Sequence, residues 1–413
     1  MDLRIEPRRL SGAVTPPPSK SMAHRLIISA ALGGGTSTIR NVAFSQDIEA
    51  TLRCMEALGA RWERLDEDTV RVTGIGGVSP DAFSELPHFD CGESGSTLRF
   101  LIPIALAVAG GGVFTGHGRL MERPQKPYFD LFDQLGISHH QEDGVLTVQG
   151  HLTPGEYQLA GNVSSQFFTG LLFALPLLDG PSTVVSTTAL ESADYITMTI
   201  NAMHSAGVTA AAQWGRRRFQ VLPMPYQAFD GTVEADWSQA GFWYAANFLS
   251  NEVDIRGLNP LSAQGDMVVS DLYWKLARPG EAEIDVSGCP DLLPPLAVMA
   301  AVRQGTTRFV GAARLRIKES DRLASVTATL NALGAKVEEH SDSLTIHGLD
   351  RLEGGAAIDC CNDHRIAMMA AVAATRCQKP VTLLGAHCVK KSYPNFWEHY
   401  RMLGGDLDVL VSG

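Results

Sequence analysis

One structural pattern recurs six times along the 413 residues of the chain. Each copy has a small or polar residue, an almost wholly apolar helix, a glycine-containing turn and a β-rich run. The apolar helices are predicted to begin near Ser19, Ser94, Ser164, Ser238, Asp291 and Asp363. Repeated units stack to bury one shared core, so this recurrence predicts a repeat architecture.

The segments that follow each apolar helix support the same pattern. The β-rich runs are predicted at 36–42, 112–116, 182–186, 252–257, 306–311 and 380–385. Further helices are clearest at 47–58, 127–135, 193–206 and 321–333. Each of these four ends at a Leu-Gly or Ala-Gly pair, whose glycine is the usual left-handed cap of a helix.

The apolar helices are hydrophobic on nearly every side, which is typical of helices buried in a core. They are shorter than the roughly 20 apolar residues that a bilayer requires, so we expect no membrane span. At 413 residues the chain is too long for one ordinary core. Two domains of three repeats each are therefore predicted, one formed by residues 19–235 and the other, discontinuous, by residues 1–18 and 236–413. Proline-rich connectors at 16–18 and 223–235 indicate the two crossings.

Charge and motif content argue against several classes of protein. The formal net charge of −11 makes a nucleic-acid partner improbable. The seven cysteines show no C-x-x-C spacing, and neither a nucleotide-binding P-loop nor an H-E-x-x-H metal motif occurs. No metal and no cofactor are expected. The N-terminal residues lack the apolar core of a signal peptide, so a cytoplasmic location is predicted.

Cationic side chains gather where the apolar helices begin. Free backbone N–H groups and the helix dipole favour anions at such ends, and capping alone does not need a lysine or arginine. The cations in these segments are Lys20, Arg25, Arg99, Arg123, Lys318, Arg322, Arg365 and Lys391. They are enough for two small, multiply charged ligands.

These motifs, taken in order, resemble the EPSP synthase (3-phosphoshikimate 1-carboxyvinyltransferase) family over nearly the whole chain. The matching segments are Ser19-Lys20-Ser21 with Arg25, Gly95 with Arg99, Glu122-Arg123-Pro124, Ser164-Ser165-Gln166, Pro290-Asp291, Lys318-Glu319 with Asp321-Arg322, Asp363-His364-Arg365, and Lys391. The resemblance implies an α/β fold. This fold is a two-domain inside-out α/β barrel with six βαβαββ repeats, three per domain, and an active site in the interdomain cleft. Pro18, Phe100 and Arg314 depart from the usual family pattern, and Arg314 is left without a role.

The resemblance also implies two metal-free substrate sites. The predicted shikimate 3-phosphate site comprises Lys20, Ser21, Arg25, Ser164, Ser165, Gln166, Ser192, Tyr195, Asp291 and Lys318. The predicted phosphoenolpyruvate site comprises Lys20, Gly95, Arg99, Arg123, Gln166, Arg322, Arg365 and Lys391. The predicted catalytic residues are Asp291, Glu319, Lys318 and Lys20. The helix that begins near Ser238 receives no role, and the family expectation is a monomer.

The implied reaction adds the 5-hydroxyl of shikimate 3-phosphate to phosphoenolpyruvate and then expels phosphate from a tetrahedral intermediate. One alternative is the related transferase that acts on UDP-N-acetylglucosamine. That family carries a reactive cysteine near the segment at 119–124, whereas no cysteine occurs here between Cys91 and Cys289. A second alternative is a non-enzymatic anion-binding repeat protein, which has little use for Asp291 and Glu319 beside its cations.

Overall fold

The computed structural model describes residues 1–77 and 82–410 of the chain. The twelve α-helices of this part are α1 Lys20–Leu32, α2 Gln46–Ala57, α3 Gly95–Ala109, α4 Lys126–Leu135, α5 Gln166–Ala174, α6 Ala193–Ser205, α7 Trp237–Phe248, α8 Val269–Leu276, α9 Leu293–Val302, α10 Arg322–Ala332, α11 His364–Ala374 and α12 Phe396–Met402. Its first fourteen strands are β1 Asp2–Glu6, β2 Ser11–Val14, β3 Thr36–Arg40, β4 Arg61–Arg64, β5 Val70–Thr73, β6 His88–Asp90, β7 Gly111–Thr115, β8 Ser138–Glu142, β9 Val145–Gln149, β10 Glu156–Leu159, β11 Ser182–Ser186, β12 Ala210–Gln213, β13 Arg218–Val221 and β14 Asp230–Thr232. The remaining strands are β15 Glu252–Ile255, β16 Ala282–Asp285, β17 Thr306–Val310, β18 Lys336–Glu339, β19 Leu344–His347, β20 Leu352–Gly354, β21 Ala357–Asp359, β22 Cys377–Lys379, β23 Val381–Leu384 and β24 Asp406–Leu410.

The chain divides into two compact units. Unit 1 contains residues 1–17 and 235–413, and unit 2 contains residues 18–234. Each unit has its own hydrophobic core: one is centred on α7, α9 and α11, and the other on α1, α3 and α5. Each core helix has apolar residues on almost every face, and all residues of α11 are buried. Burial on all sides is the environment that such a composition requires.

Three four-stranded sheets surround the core of unit 2 in the part that the structure describes. Their strand orders are β14-β3-β5-β4, β6-β7-β9-β8 and β10-β11-β13-β12. In every sheet the first pair is parallel and the other two pairs are antiparallel. In the sheets that begin with β6 and β10 the order β-α-β-α-β-β generates this pattern, because a helical crossover joins the parallel strands. In the remaining sheet the parallel strand β14 comes instead from the end of unit 2. Among the described residues no strand pairing joins these sheets to one another, so they do not form one closed barrel.

Unit 1 repeats this arrangement twice within its described residues. The sheets β16-β17-β19-β18 and β21-β23-β1-β24 have the same parallel and antiparallel pairing. The second of them is completed by β1, which lies between β23 and β24 and comes from the start of the chain. A further parallel pair, β20 with β22, adjoins this region.

The fourth repeat is shorter than the sequence pattern predicts. In the described part of the chain its sheet consists of β2 and β15 alone, and the segment after α8 leads directly to β16 of the next repeat. The edge of β15 that faces away from β2 is hydrogen-bonded to a side chain and not to another strand. Asn247 accepts a hydrogen bond from the Val253 N–H at 2.7 Å and donates one to the Val253 carbonyl at 2.8 Å. These bonds satisfy backbone groups that a neighbouring strand would otherwise pair.

The predicted helix and strand positions agree with the structure to within a few residues. Ser19, Ser94 and Asp363 are the N-caps of α1, α3 and α11. Three starts lie slightly away from the prediction. The N-cap of α5 is Ser165, α7 begins at Trp237 after the cap Asp236, and Asp291 lies in a short 3-10 turn before α9. The four glycines predicted to end helices, Gly59, Gly136, Gly207 and Gly334, all have positive φ angles. No helix in the described part of the chain is long and apolar enough to cross a membrane.

Candidate active site

In unit 2 the start of α1 carries a paired lysine. The Lys20 ammonium lies 2.8 Å from Asp47 Oδ2, and both side chains are largely buried. Asp47 stands in the first turn of α2, where a carboxylate also interacts favourably with the helix dipole. Lys20 therefore has a fixed counter-ion at its helix end. Asp47 was not among the predicted site residues, although the Ser45-Gln46-Asp47 helix start was a usable signal.

Arg25, one turn further along α1, is almost completely buried and is held by neutral oxygen atoms. Its Nε donates to Thr199 Oγ1 at 2.9 Å, its Nη1 to the Ser21 carbonyl at 2.7 Å, and its Nη2 to the Tyr195 carbonyl at 3.1 Å. A longer contact of 3.4 Å joins Nη2 to Thr169 Oγ1. Burial lowers the pKa of Arg25 to about 10, so the side chain remains charged at neutral pH.

The surroundings of Arg25 suit the recognition of an anion. No ion pair among the described residues involves this arginine, and the rings of Phe100 and Tyr195 lie 5.2 and 5.7 Å from its Cζ atom. A buried guanidinium bonded to hydroxyl and carbonyl oxygens keeps its full positive charge for a ligand. Ser192 lies in the same segment as Tyr195 and has a φ of 53°, a strained conformation for a serine.

A second cationic group lies at the starts of α3 and α5. Arg99 Nη1 donates to Gln166 Oε1 at 2.8 Å, and the amide of Gln166 donates to Ser96 Oγ at 3.0 Å. Gly95 is the first residue of α3, and a Cβ atom there would lie 2.6 Å from Nη1 of Arg123. Only glycine therefore allows the Arg123 guanidinium to lie against this helix end. The N–H of Gln166 bonds Ser164 Oγ at 3.3 Å, and Ser165, the first-turn neighbour, is buried.

A buried chain of hydroxyl groups joins these helix starts. His24 Nδ1 lies 2.7 Å from Thr51 Oγ1, Thr51 lies 2.7 Å from Thr97 Oγ1, and Thr97 lies 2.7 Å from Ser94 Oγ. Burial, with the charges of Lys20 and Arg25, holds the pKa of His24 well below its ordinary value, so the ring is neutral. The chain connects α1, α2 and α3 just below their N-termini and fixes their relative positions.

In unit 1 three of the four predicted catalytic residues, Asp291, Lys318 and Glu319, belong to a dense ionic cluster. The fourth, Lys20, lies on α1 in unit 2. Asp291 Oδ1 lies 2.7 Å from Arg322 Nη1 and 3.6 Å from Lys318 Nζ, and its Oδ2 lies 3.1 Å from Arg365 Nη2. Glu319 Oε2 lies 2.8 Å from Arg322 Nη2. The structure thus brings together five predicted residues that are spread over 75 positions of the sequence.

Asp363, which the predicted site omitted, organises the same cluster. Its carboxylate is inaccessible to solvent and accepts a hydrogen bond from Arg322 Nε at 2.8 Å. It also accepts from Ser320 Oγ at 3.0 Å and from the backbone N–H of Arg365 at 2.9 Å. Asp363 therefore fixes Arg322 directly and Arg365 through the first turn of α11. Its position in the Asp363-His364-Arg365 motif was the available signal.

These charges determine how the cluster titrates. Burial raises the pKa of Asp291, but the nearby charges of Arg365, Lys318 and Arg322 outweigh it and hold that pKa well below its ordinary value. Burial lowers the pKa of Lys318 to about 8, and the attraction of Asp291 only partly opposes it. At neutral pH Asp291 is ionised, and Lys318 can exchange a proton close to that pH.

Lys391 lies at the end of a short 3-10 turn, Ala386–Lys391, and is buried. Its Nζ donates to the Asn362 carbonyl at 2.6 Å. Cys361 and Asn362 both have positive φ angles, 52° and 49°, and this sharp turn directs the chain into the N-cap of α11. Backbone strain of this kind is common where a loop must present groups to a ligand.

Arg314, to which the sequence assigned no role, donates from Nη2 to the Ser287 carbonyl, in the loop that leads to Asp291. The seven cysteines of the chain are free thiols. No group of three or more His, Cys, Asp or Glu side chains in the described ranges has the spacing of a metal site.

Comparison with known proteins shows the family of the chain. The family model for EPSP synthase (3-phosphoshikimate 1-carboxyvinyltransferase) matches residues 5–400. A relative named 3-phosphoshikimate 1-carboxyvinyltransferase from Clostridium beijerinckii is 42% identical over 428 residues, which cover 98% of this chain and 98% of the relative. A relative of the same name from Clostridium acetobutylicum is 43% identical with the same coverage.

Solved structures agree on the fold. An EPSP synthase from Acinetobacter baumannii superposes with a TM-score of 0.79 at 22% identity and 100% coverage of both chains. The enolpyruvyl transferase NikO from Streptomyces tendae gives a TM-score of 0.76 at 16% identity, with 100% of this chain and 99% of that chain covered. The α/β architecture of the chain is the one that these transferases share.

Proposed function

Because the chain belongs to the EPSP synthase family, and so transfers the enolpyruvyl group of phosphoenolpyruvate to shikimate 3-phosphate in aromatic amino acid biosynthesis, we propose which of its residues perform that reaction. The observation that carries this proposal is the difference between the partners of Arg25 in unit 2 and those of Arg322 and Arg365 in unit 1. Arg25 in unit 2 has neutral partners only, whereas Arg322 and Arg365 in unit 1 are paired with carboxylates.

We assign the phosphate of shikimate 3-phosphate to the uncompensated charge of Arg25. Ser164, Ser165 and Ser192 add hydroxyl groups near helix starts, where a phosphate is favoured. The other assigned contacts of this substrate are Lys20, Ser21, Gln166, Tyr195, Asp291 and Lys318. Arg25 supplies the strongest single contact in this set, because a desolvated guanidinium binds a dianion through charge-assisted hydrogen bonds.

Phosphoenolpyruvate carries a carboxylate and a phosphate, so we assign it mainly to cations, together with one glycine and one glutamine. The assigned residues are Lys20, Gly95, Arg99, Arg123, Gln166, Arg322, Arg365 and Lys391. The substrate carboxylate competes with Asp291 for Arg322 and Arg365. As these guanidinium groups turn toward the substrate, their hold on Asp291 weakens and its pKa rises, so substrate binding makes Asp291 a better proton acceptor.

The reaction then proceeds in two balanced steps. Asp291 takes the proton of the 5-hydroxyl group while the hydroxyl oxygen of shikimate 3-phosphate bonds to C2 of phosphoenolpyruvate. The methylene carbon C3 gains a proton at the same time, and the product is a ketal phosphate. In the second step C3 loses a proton, the C2–O bond to phosphate breaks and inorganic phosphate leaves. Lys318, Glu319 and Lys20 move the protons at C3. A positioned acid or base of this kind contributes roughly 10² to 10⁴ in rate.

The organisation of the protein is proposed on the same basis. The two compact units would be the two three-repeat domains, and their boundaries at 17/18 and 234/235 support this. A cytoplasmic monomer is the corresponding proposal for location and assembly. UDP-N-acetylglucosamine is the less favoured acceptor, because relatives 42–43% identical over 98% of the chain are named 3-phosphoshikimate 1-carboxyvinyltransferase.

The deciding experiment measures inorganic phosphate released from phosphoenolpyruvate with either acceptor. We expect release with shikimate 3-phosphate and none with UDP-N-acetylglucosamine, and the reverse result would overturn the proposal. The Asp291→Asn variant should bind both substrates but lose most of its turnover, whereas Lys20→Met should lose both properties. Normal turnover in Asp291→Asn would show that another group accepts the proton.

A further inference from the structure

Helix α7 is the one apolar core helix whose N-terminus received no role from the sequence. Its N-cap Asp236 accepts a hydrogen bond from the Gln239 N–H at 2.9 Å, which fixes the first turn. Gln239 is 1% exposed and faces the interior of unit 1. A buried glutamine needs a partner for its amide, and the identity of that partner indicates what this helix end does.

The partner of Gln239 is the segment that directly follows Lys391. Gln239 Nε2 donates to Ser392 Oγ at 3.1 Å, and both side chains are buried. One turn later on the same helix, Trp243 Nε1 donates to the Tyr393 hydroxyl at 3.2 Å. The rings of Trp243 and Tyr393 also pack edge to face, with centroids 6.3 Å apart. Helix α7 therefore holds two consecutive residues of this segment.

These contacts determine the backbone position of Lys391. The lysine is the last residue of its 3-10 turn, so Ser392 and Tyr393 fix the backbone from which its side chain extends. At the other end of the turn, Trp397 Nε1 donates to the Ala386 carbonyl at 3.0 Å. With both ends held, the Lys391 ammonium reaches the Asn362 carbonyl at 2.6 Å, beside the start of α11. A displacement of about 1 Å at such a group can reduce the rate of catalysis by roughly 100-fold.

We propose that Gln239 is a positioning residue for Lys391, acting through its hydrogen bond to Ser392. This inference rests on the proposed assignment of Lys391 to phosphoenolpyruvate. Gln239 contacts neither substrate in that assignment, so its effect is confined to the substrate that Lys391 holds. Helix α7 thus supports the phosphoenolpyruvate site indirectly, through the backbone that carries Lys391.

The test replaces Gln239 with leucine, which has a similar volume but no donor. We expect the KM for phosphoenolpyruvate to rise about fivefold, since one buried hydrogen bond is lost, while the KM for shikimate 3-phosphate changes by less than about twofold. Ser392→Ala removes the acceptor of the same hydrogen bond. It should likewise raise the KM for phosphoenolpyruvate and leave the KM for shikimate 3-phosphate almost unchanged. The double variant should be no worse than either single variant, because interacting residues are not additive.

Asn247→Ala is the matched control. Asn247 is an amide on the same helix, but its hydrogen bonds are to Val253 in β15 and not to the Lys391 segment. Its loss should lower the thermal unfolding midpoint as much as Gln239→Leu does, with both KM values unchanged. If Gln239→Leu leaves the KM for phosphoenolpyruvate unchanged, or raises both KM values equally, the positioning role is wrong.

Lys391→Met separates this inference from the assignment on which it rests. If Lys391→Met raises the KM for phosphoenolpyruvate and Gln239→Leu does not, only the positioning role fails. If Lys391→Met leaves that KM unchanged, the assignment of Lys391 fails and the role of Gln239 fails with it. The expected result is a larger effect of Lys391→Met in the same direction as Gln239→Leu.

Discussion

Replacing Thr199 with valine tests whether hydroxyl groups keep Arg25 in place. The Thr199 hydroxyl lies 2.9 Å from Arg25 Nε, 2.8 Å from Thr169 Oγ1 and 2.9 Å from the Tyr195 carbonyl. One hydroxyl can donate once and accept twice, so Thr199 donates to Tyr195 and accepts from Arg25 and Thr169. Valine has the same shape but can make none of these bonds.

The magnitude follows from the burial of Arg25, which is 2% exposed. A buried N–H group without an acceptor costs about 2 kcal/mol, and more when the group is charged. The guanidinium can relieve this penalty by turning to another oxygen, which removes it from the place where it binds phosphate. We therefore expect Thr199→Val to weaken shikimate 3-phosphate binding about 30-fold, because 1.4 kcal/mol corresponds to a factor of about ten.

Isothermal titration of shikimate 3-phosphate into each purified variant measures this effect directly. Thr199→Ser keeps the hydroxyl and should bind within about twofold of the parent protein. Thr169→Val removes a weaker contact of 3.4 Å and should lie between the two. If Thr199→Val binds as tightly as Thr199→Ser, the hydroxyl group does not position Arg25 and the reasoning is refuted.

Three further predictions concern Gly95, Lys318 and Glu319. Gly95→Ala places a Cβ atom 2.6 Å from Arg123 Nη1, so steady-state kinetics should show a KM for phosphoenolpyruvate raised roughly 10- to 100-fold; Gly155→Ala, where no atom lies within 4 Å, should change nothing. Lys318 loses its charge as pH rises through about 8, so a pH profile of kcat/KM should fall above that pH, and Lys318→Arg should lose this limb. Glu319→Gln removes the negative charge paired with Arg322, although the amide oxygen can still accept its hydrogen bond; titration calorimetry should therefore show tighter phosphoenolpyruvate binding, and weaker binding would contradict the proposed competition.

Local patterns predicted local structure well. The start of α1 at Ser19 and the strand Ser182–Ser186 could be located because capping residues and apolar periodicity act over a few residues. The shortened fourth repeat was not predicted. It lacks the final pair of strands but keeps the apolar helix and one strand, and these were the features by which the repeats were recognised. The sequence carries no signal for a strand that is absent.

Long-range contacts were the part that sequence reasoning could not reach. Arg25 and Thr199 are 174 positions apart, and threonine is common enough that no spacing marks Thr199 as its partner. Asp291 and Arg322 were both predicted as site residues, but their direct pairing at 2.7 Å was not. Which cations are neutralised and which keep their charge depends on packing, and the assignment of substrates depends on that difference.

The position of β1 has a consequence for folding during synthesis. Its two neighbours, β23 and β24, follow it by almost 400 residues, and at roughly 5 to 20 residues per second they emerge about 20 to 80 s after β1. Unit 2 is continuous in sequence and can fold on the ribosome before β23 and β24 are made. During that time both edges of β1 lack their partner strands. The charged residues Asp2, Arg4 and Glu6 alternate along this strand and discourage its pairing with other nascent chains. A strand made well before its partners thus pairs late, and its charged residues limit wrong pairing in the interval.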